Sequence, residues 1–282
     1  MRELLWKVSF GIFLAALPMS VAHAIIVLGM QKGSAGRVPR WLAWLRRAAN
    51  VVIGLGTLAL AGYIAARWVE TGYPPFSNIP ESLSWMALGF CAVYLVARVY
   101  WDFPGMEAGA CAGALAILAF SALFQDSAGP LMPALQSNWL IFHVFTCMMS
   151  YGAFLAAFCM AILWLVLWRK RESGRLVDRM SYHLMAFGFL LLTIGVISGA
   201  VWAREAWGRY WGWDPKETWS LITWLVYGSY LHFRRIAGSL GIPQERMPAV
   251  NAIFAVVGFA FTIFTYLGVS YLLPSLHSYA SG

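Results

Sequence analysis

The sequence predicts an all-α integral membrane protein, a polytopic bundle of about eight transmembrane helices, and three observations predict it. Of 282 residues, 61% are hydrophobic and only 11% charged, which leaves too little polar surface to wrap a soluble globule. Apolar stretches of roughly 20 residues, the length a helix needs to cross a hydrocarbon layer ~30 Å thick, recur along the chain. The aromatic complement of 15 Trp, 12 Tyr and 18 Phe exceeds what a core requires, and amphipathic rings of this kind favour the two membrane interfaces or a ligand site.

The apolar stretches run near 9–30, 49–68, 81–99, 107–124, 139–168, 183–203, 217–233 and 249–272. Ahead of the first stand Arg2 and Lys7, and within it Ala22-His23-Ala24 resembles a signal-peptide cleavage site. The apolar run continues through Ile25, Ile26, Val27 and Leu28 with no turn residue, which suits a retained helix. The link between the third and fourth stretches, around Asp102, Phe103 and Pro104, is also compatible with a tight hairpin. The range is therefore seven to nine spans, with the whole of 1–282 as a single transmembrane domain.

Lys and Arg in the links set the orientation, because positive residues are retained on the cytoplasmic side. With the N-terminus outside, the inner links hold Lys32, Arg37, Arg40, Arg46, Arg47, Arg98, Arg169, Lys170, Arg171, Arg175, Arg179, Arg234, Arg235 and Arg246, fourteen of the twenty. The outer segments hold Arg2, Lys7, Arg67, Arg204, Arg209 and Lys216. An even number of spans then places both termini on the outer side of the membrane.

The net charge of +8 falls in short clusters between apolar runs rather than along one face. That pattern suits anionic membrane lipid and not nucleic acid. Cys91, Cys111, Cys147 and Cys159 all lie in apolar stretches and form no C-x-x-C, which argues against covalent haem on this chain, disulfide exchange and a structural zinc site. Histidine is left as the candidate metal ligand.

The most unusual stretch is the outer segment at about 204–219. It reads Ala206-Trp207-Gly208-Arg209-Tyr210-Trp211-Gly212-Trp213-Asp214-Pro215-Lys216-Glu217-Thr218-Trp219. An aromatic belt followed by a helix start at Asp214-Pro215 explains part of it. A belt does not need four indoles this close. Gly208 and Gly212 allow the backbone to lie flat while Trp207, Trp211, Trp213 and Trp219 form a slab, which fits a large planar apolar ligand. A macrocycle with charged edges would also use Arg204, Arg209 or Lys216 for its carboxylates and imidazoles for its iron. His143 and His277 are placed at the level of this segment, at the start of the fifth stretch and just beyond the eighth. His232 lies at the inner end of the seventh, where its ordinary role is a headgroup contact and its functional one a ligand at an inner site. His23 is expected in the inner half of the first helix, and His183 reads as an interface residue.

The pattern Trp207-Gly208-x-x-Trp211-x-Trp213-Asp214-x-x-Glu217 resembles the tryptophan-rich "WWD" signature of haem-handling proteins. Together with Gly195 through His232 and Leu276-His277-Ser278-Tyr279-Ala280, it resembles the CcsA (ResC-like) branch that builds c-type cytochromes. The resemblance covers about 70–280, counting Pro75-Phe76-Ser77-Asn78 and Glu81-Ser82; the CcmC and CcmF families share the signature, but the context of His277 and the length favour CcsA. It implies a subunit of a haem-lyase (holocytochrome c synthase) complex that moves haem b across the membrane. The subunit would hold haem b non-covalently over the Trp-rich segment and present it on the outer face to C-x-x-C-H apocytochrome c. It maps the two external iron ligands onto His143 and His277 and the membrane-embedded one onto His232, and it implies a second membrane subunit of the CcsB/ResB/Ccs type. Asp214 and Glu217 are candidates to orient the imidazoles, although capping explains Asp214 as well; His23 matches no family ligand. The rival readings are a haem exporter or haem-binding module without ligation activity, and a transporter of another amphipathic ligand with histidines as proton relays.

Overall fold

Every apolar stretch forms a helix, because a backbone withdrawn from water satisfies its N–H and C=O groups most simply within one segment. The computed structural model describes residues 2–33, 39–101, 103–124, 131–167 and 171–274. The main elements are α1 (Arg2–Gly33), α2 (Arg40–Thr71), α3 (Ile79–Tyr100), α4 (Met106–Ser121), α5 (Asn138–Leu167), α6 (Arg171–Trp207), α7 (Pro215–Ile236) and α8 (Met247–Ile263). α8 continues through a π-helical turn at Phe264–Gly268 into the short α9 (Val269–Leu272). α1 runs unbroken through Ala22–Ala24, so no turn marks the would-be cleavage site.

Six of these helical stretches are long and apolar enough to cross a membrane: Arg2–Met30, Arg40–Thr71, Ile79–Tyr100, Asn138–Val166, Gly174–Trp207 and Gln244–Leu272. The other two expected spans fall short for different reasons. α4 has 16 residues and at ~1.5 Å per residue is shorter than a hydrocarbon layer. α7 has 22 residues but carries Lys216 and Glu217 at one end and Arg234 and Arg235 at the other, with serines and threonines between.

Packing divides the bundle. α5 is central, lying against α3, α6 and α8, while α1 packs on α2 and α4, and α7 on α6 and α8. The centre is tied by Phe154 of α5 stacked on Tyr227 of α7, with ring centroids 3.6 Å apart and both side chains fully buried. This arrangement assembles the ends of α2, α3, α5, α6, α7 and α8 around the Trp-rich link. His23 lies on α1, which packs on α2 and α4, and His232 on α7, which packs on α6 and α8.

Candidate ligand-binding site at the Trp-rich end

Four local devices build this end. The link after α2 is closed by Gly72 at φ +75, a left-handed position that suits a residue without Cβ. It is then pinned by a buried ion pair, Arg67 Nε donating to Glu81 Oε1 at 2.8 Å, while Glu81 Oε2 accepts from Ser77 N and Ser77 Oγ, each at 2.8 Å. Asn78 caps α3 by accepting from Glu81 N at 2.9 Å. At the other link Asp214 and Glu217 form a capping box: Glu217 Oε2 accepts from Asp214 N at 3.1 Å and from Gly212 N at 2.8 Å, and Asp214 Oδ2 accepts from Lys216 N. The fourth device is the π-helical turn, which sets Thr265 and Tyr266 toward the same space; Tyr266 Oη shares a 2.6 Å hydrogen bond with Ser82 Oγ.

Between these devices lies a mainly apolar cavity of about 190 Å³. Its walls include Phe76 and Asn78 from the α2–α3 link, His143 and Cys147 from α5, and Trp202 from α6. The Trp-rich link and α7 contribute Tyr210, Trp211, Lys216 and Glu217. A second hollow of about 410 Å³, between 72–77 and 131–141, shares Phe76, Ser77, Leu135 and Leu140 with it.

His143 is the best-defined group in the cavity. Its Nδ1 lies 2.7 Å from Gly195 O, and because a carbonyl only accepts, Nδ1 carries the hydrogen. In the neutral imidazole this makes Nε2 the lone-pair nitrogen, the form a metal takes. The sequence permits this approach through two small residues one turn apart on α6: a Cβ at Gly199 would stand 2.6 Å from His143 Nδ1, and one at Gly195 would stand 2.6 Å from Cys147 Sγ. Trp202 lies parallel to the imidazole, 6.0 Å between centroids at 13°, and is itself held by Nε1 donating to Ala134 O at 2.8 Å.

The four expected platform indoles do not share one face. Trp211 lines the cavity, and Trp213 meets it edge-on at 89° with 68% of its own surface exposed. Trp207 packs on Trp202 with centroids 4.8 Å apart. Trp219 turns to Phe264 and Phe261 at 4.3 and 5.8 Å. Trp213 sits at φ +58, a left-handed conformation that costs a non-glycine residue about 1–3 kcal/mol and is concentrated at functional sites. Gly208, at φ +77, ends α6 with its N–H on Arg204 O, so its role is a helix stop.

Sequence reasoning missed Trp202 and the carbonyl of Gly195. Asp214 and Glu217 were expected to orient imidazoles, but their capping bonds tie down the link, and for His143 the orienting acceptor is Gly195 O. His277 lies outside the described residues. His232 is exposed on α7, on the side opposite the buried Tyr227 and Tyr230, while Arg234 pairs with Asp178 through two 2.7 Å bonds. His183 is exposed, bonded to Arg179 O at 2.7 Å and set against Trp101, as an interface residue would be. Among the described residues no group of three or more His, Cys, Asp or Glu gathers as a metal site.

Fold and cavity together define a polytopic helical membrane protein with a ligand-sized space at one end. A family model described as "Cytochrome C assembly protein" matches residues 76–277. Proteins described as "Cytochrome c biogenesis protein CcsA" are similar: that of Synechococcus elongatus is 38% identical, covering 80% of this chain and 85% of the relative. Those of Thermosynechococcus vestitus and Guillardia theta are 37% and 39% identical, covering 92% and 85% of this chain and 95% and 90% of the relatives. The chain belongs to the CcsA-type cytochrome c biogenesis proteins. The solved structure titled "Cytochrome c Heme Lyase CcmF" has the same fold, with a TM-score of 0.64 at 17% identity over 98% of this chain and 48% of that one.

Proposed function

We propose that this chain is the haem-handling subunit of a cytochrome c synthase complex. It moves haem b across the bacterial cytoplasmic membrane and presents it on the outer face for attachment to C-x-x-C-H apocytochromes. The observation that carries the reading is the fixed imidazole of His143, with Nδ1 on Gly195 O and Nε2 as its lone-pair nitrogen, in a cavity that Trp202 and Trp211 help to line. In this reading the Trp-rich end faces the periplasm or cell exterior, both termini lie on that side, and 1–282 is one transmembrane domain whose Trp-rich element spans about 204–219.

His143 holds one face of the iron and His277 supplies the other ligand. Trp211 and Trp202 give the macrocycle apolar contact, Trp207 backs Trp202, and Trp213 reaches out toward the incoming apocytochrome. Gly208, Gly212, Asp214, Glu217 and Trp219 keep the link in place. Attachment adds each substrate thiol across a haem vinyl group: sulfur bonds to one carbon, the thiol hydrogen goes to the other, and no oxidant or reductant is consumed. Such an addition asks mainly for proximity and orientation, which a fixed haem plane provides without a nucleophile from this chain. His232 serves an inner site. Its exposure on α7 suits completion of that site by a second membrane subunit of the CcsB/ResB/Ccs type. The test is co-expression with that subunit and a C-x-x-C-H reporter: covalent haem on the reporter is expected with wild type and none with His143→Ala, and normal maturation by His143→Ala overturns the reading.

A further inference from the structure

Three cations accompany the Trp-rich link, and the fold treats them differently. Arg204 is exposed and turned back on Gly208 O. Arg209 is exposed and folds over Gly212, whose absent Cβ would stand 2.5 Å from the Arg209 side chain. Lys216 lines the cavity, half-buried, with Nζ donating to Ser270 Oγ at 2.8 Å; Ser270 Oγ in turn donates to Tyr266 O. Among the described residues Ser270 is the one hydrogen-bond partner of Nζ, and no carboxylate lies within ion-pair distance of it. An ammonium has three donors. Glu217, in the same wall, has Oε2 engaged by two backbone N–H groups. An ammonium in a largely apolar wall, with donors to spare, is complementary to an apolar ligand carrying an anionic edge.

We infer that Lys216 grips the carboxylate edge of the ligand and, resting on the haem reading above, fixes how the macrocycle is rotated about the bond from His143 to iron. In haem b the two propionates lie on adjacent pyrroles and the two vinyl groups on the opposite pair. Holding the propionate edge at the head of α7 turns the vinyl edge, where the thioether bonds form, away from it. Lys216 is thus a positioning residue that decides which edge of the haem the apocytochrome meets.

The experiment titrates the full chain in nanodiscs, together with its partner subunit, with ferric haem and with haem dimethyl ester, which keeps iron, ring and vinyls but lacks the carboxylates. Wild type is expected to favour haem about tenfold or more, the size of one charge-assisted hydrogen bond. Lys216→Met should bind haem no better than the ester while binding the ester as wild type does, and Lys216→Arg should keep the preference. Lys216→Gln, which retains a donor for Ser270, should lose it as Met does, so a folding defect in one variant leaves the other to decide. Oleate, an anionic lipid tail without the ring, should not displace haem from wild type; displacement at equal concentration would assign the cation to lipid and overturn the inference. An unchanged haem-to-ester ratio in Lys216→Met and Lys216→Gln also overturns it. If neither macrocycle shifts its Soret band with wild type, the haem reading itself fails.

Discussion

The two ends of the bundle use the same kinds of side chain to opposite effect. At the Trp-rich end His143 is fixed by one ring nitrogen inside a cavity, and Lys216 faces that cavity with no carboxylate, among the described residues, within ion-pair distance of its Nζ. At the other end the charges close on one another: Arg46 Nε on Glu107 Oε1 at 2.5 Å across α2 and α4, and Arg234 on Asp178 across α6 and α7. There His232 points out of the bundle rather than into it. Ion pairs brace both ends, Arg67 with Glu81 at the Trp-rich one; what sets that end apart is a cavity faced by the His143 imidazole and the Lys216 ammonium.

The largest effect should come from His143. His143→Ala is expected to abolish maturation of a reporter cytochrome, and added imidazole should restore part of it by filling the vacant axial position. His277→Ala should behave the same way; normal maturation in both would end the ligand assignment.

Next in size is the aromatic wall. Trp211→Ala with Trp213→Ala should lower haem occupancy per molecule, and because Trp211 lines the cavity and Trp213 does not, Trp211→Ala alone should account for most of the loss. Equal losses from the two single variants would restore a shared slab.

Gly199→Ala sharpens the same contrast. A Cβ 2.6 Å from His143 Nδ1 must displace the imidazole, and overpacking of this kind costs about 1–3 kcal/mol. Haem affinity should fall while the protein stays in the membrane; unchanged affinity would mean the ring is not held against α6.

The opposite end gives a smaller, rescuable effect. In the proposed orientation His232, two residues from Arg234, stands within roughly one helical turn of the cytoplasmic interface. His232→Ala should therefore reduce haem delivery but leave the outer chemistry intact, so haem supplied from outside should rescue it better than His143→Ala. Equal rescue would merge the two sites.

The smallest expected effect is in pH. Burial in the cavity wall, opposed by the charge of Asp214, brings Lys216, at the start of α7, down to about 8. A lowered value means the ammonium is present below about 8 and lost above it. The preference for haem over its diester should therefore weaken as pH rises from about 7 to about 9 in wild type and stay flat in Lys216→Met. A preference that strengthened over that range would contradict the sign.

Much of this was legible in the chain because it is local. Apolar length gave the helices, the Asp214-Pro215 start of α7 was read from capping chemistry, and His143 stood out because histidine is scarce. What was not legible depends on how helices meet. Trp202 looks like any interior Trp until α5 and α6 pack and set it parallel to His143. Gly195 matters for its carbonyl, which every residue has. The four clustered Trp residues diverge because Gly208, a left-handed Trp213 and the capping box turn the link in successive directions, and linear spacing does not encode turns of that kind. Arg204, Arg209 and Lys216 were equivalent as cations until the fold placed one of them against the cavity.

The most direct test of the central claim, that His143 holds haem iron in this cavity, is the low-temperature electron paramagnetic resonance spectrum of the purified ferric complex. Wild type should show a low-spin signal of two imidazole ligands. His143→Ala should lose it for a high-spin signal or no haem, and imidazole should bring the low-spin signal back. An unaltered bis-imidazole signal in His143→Ala would contradict the account.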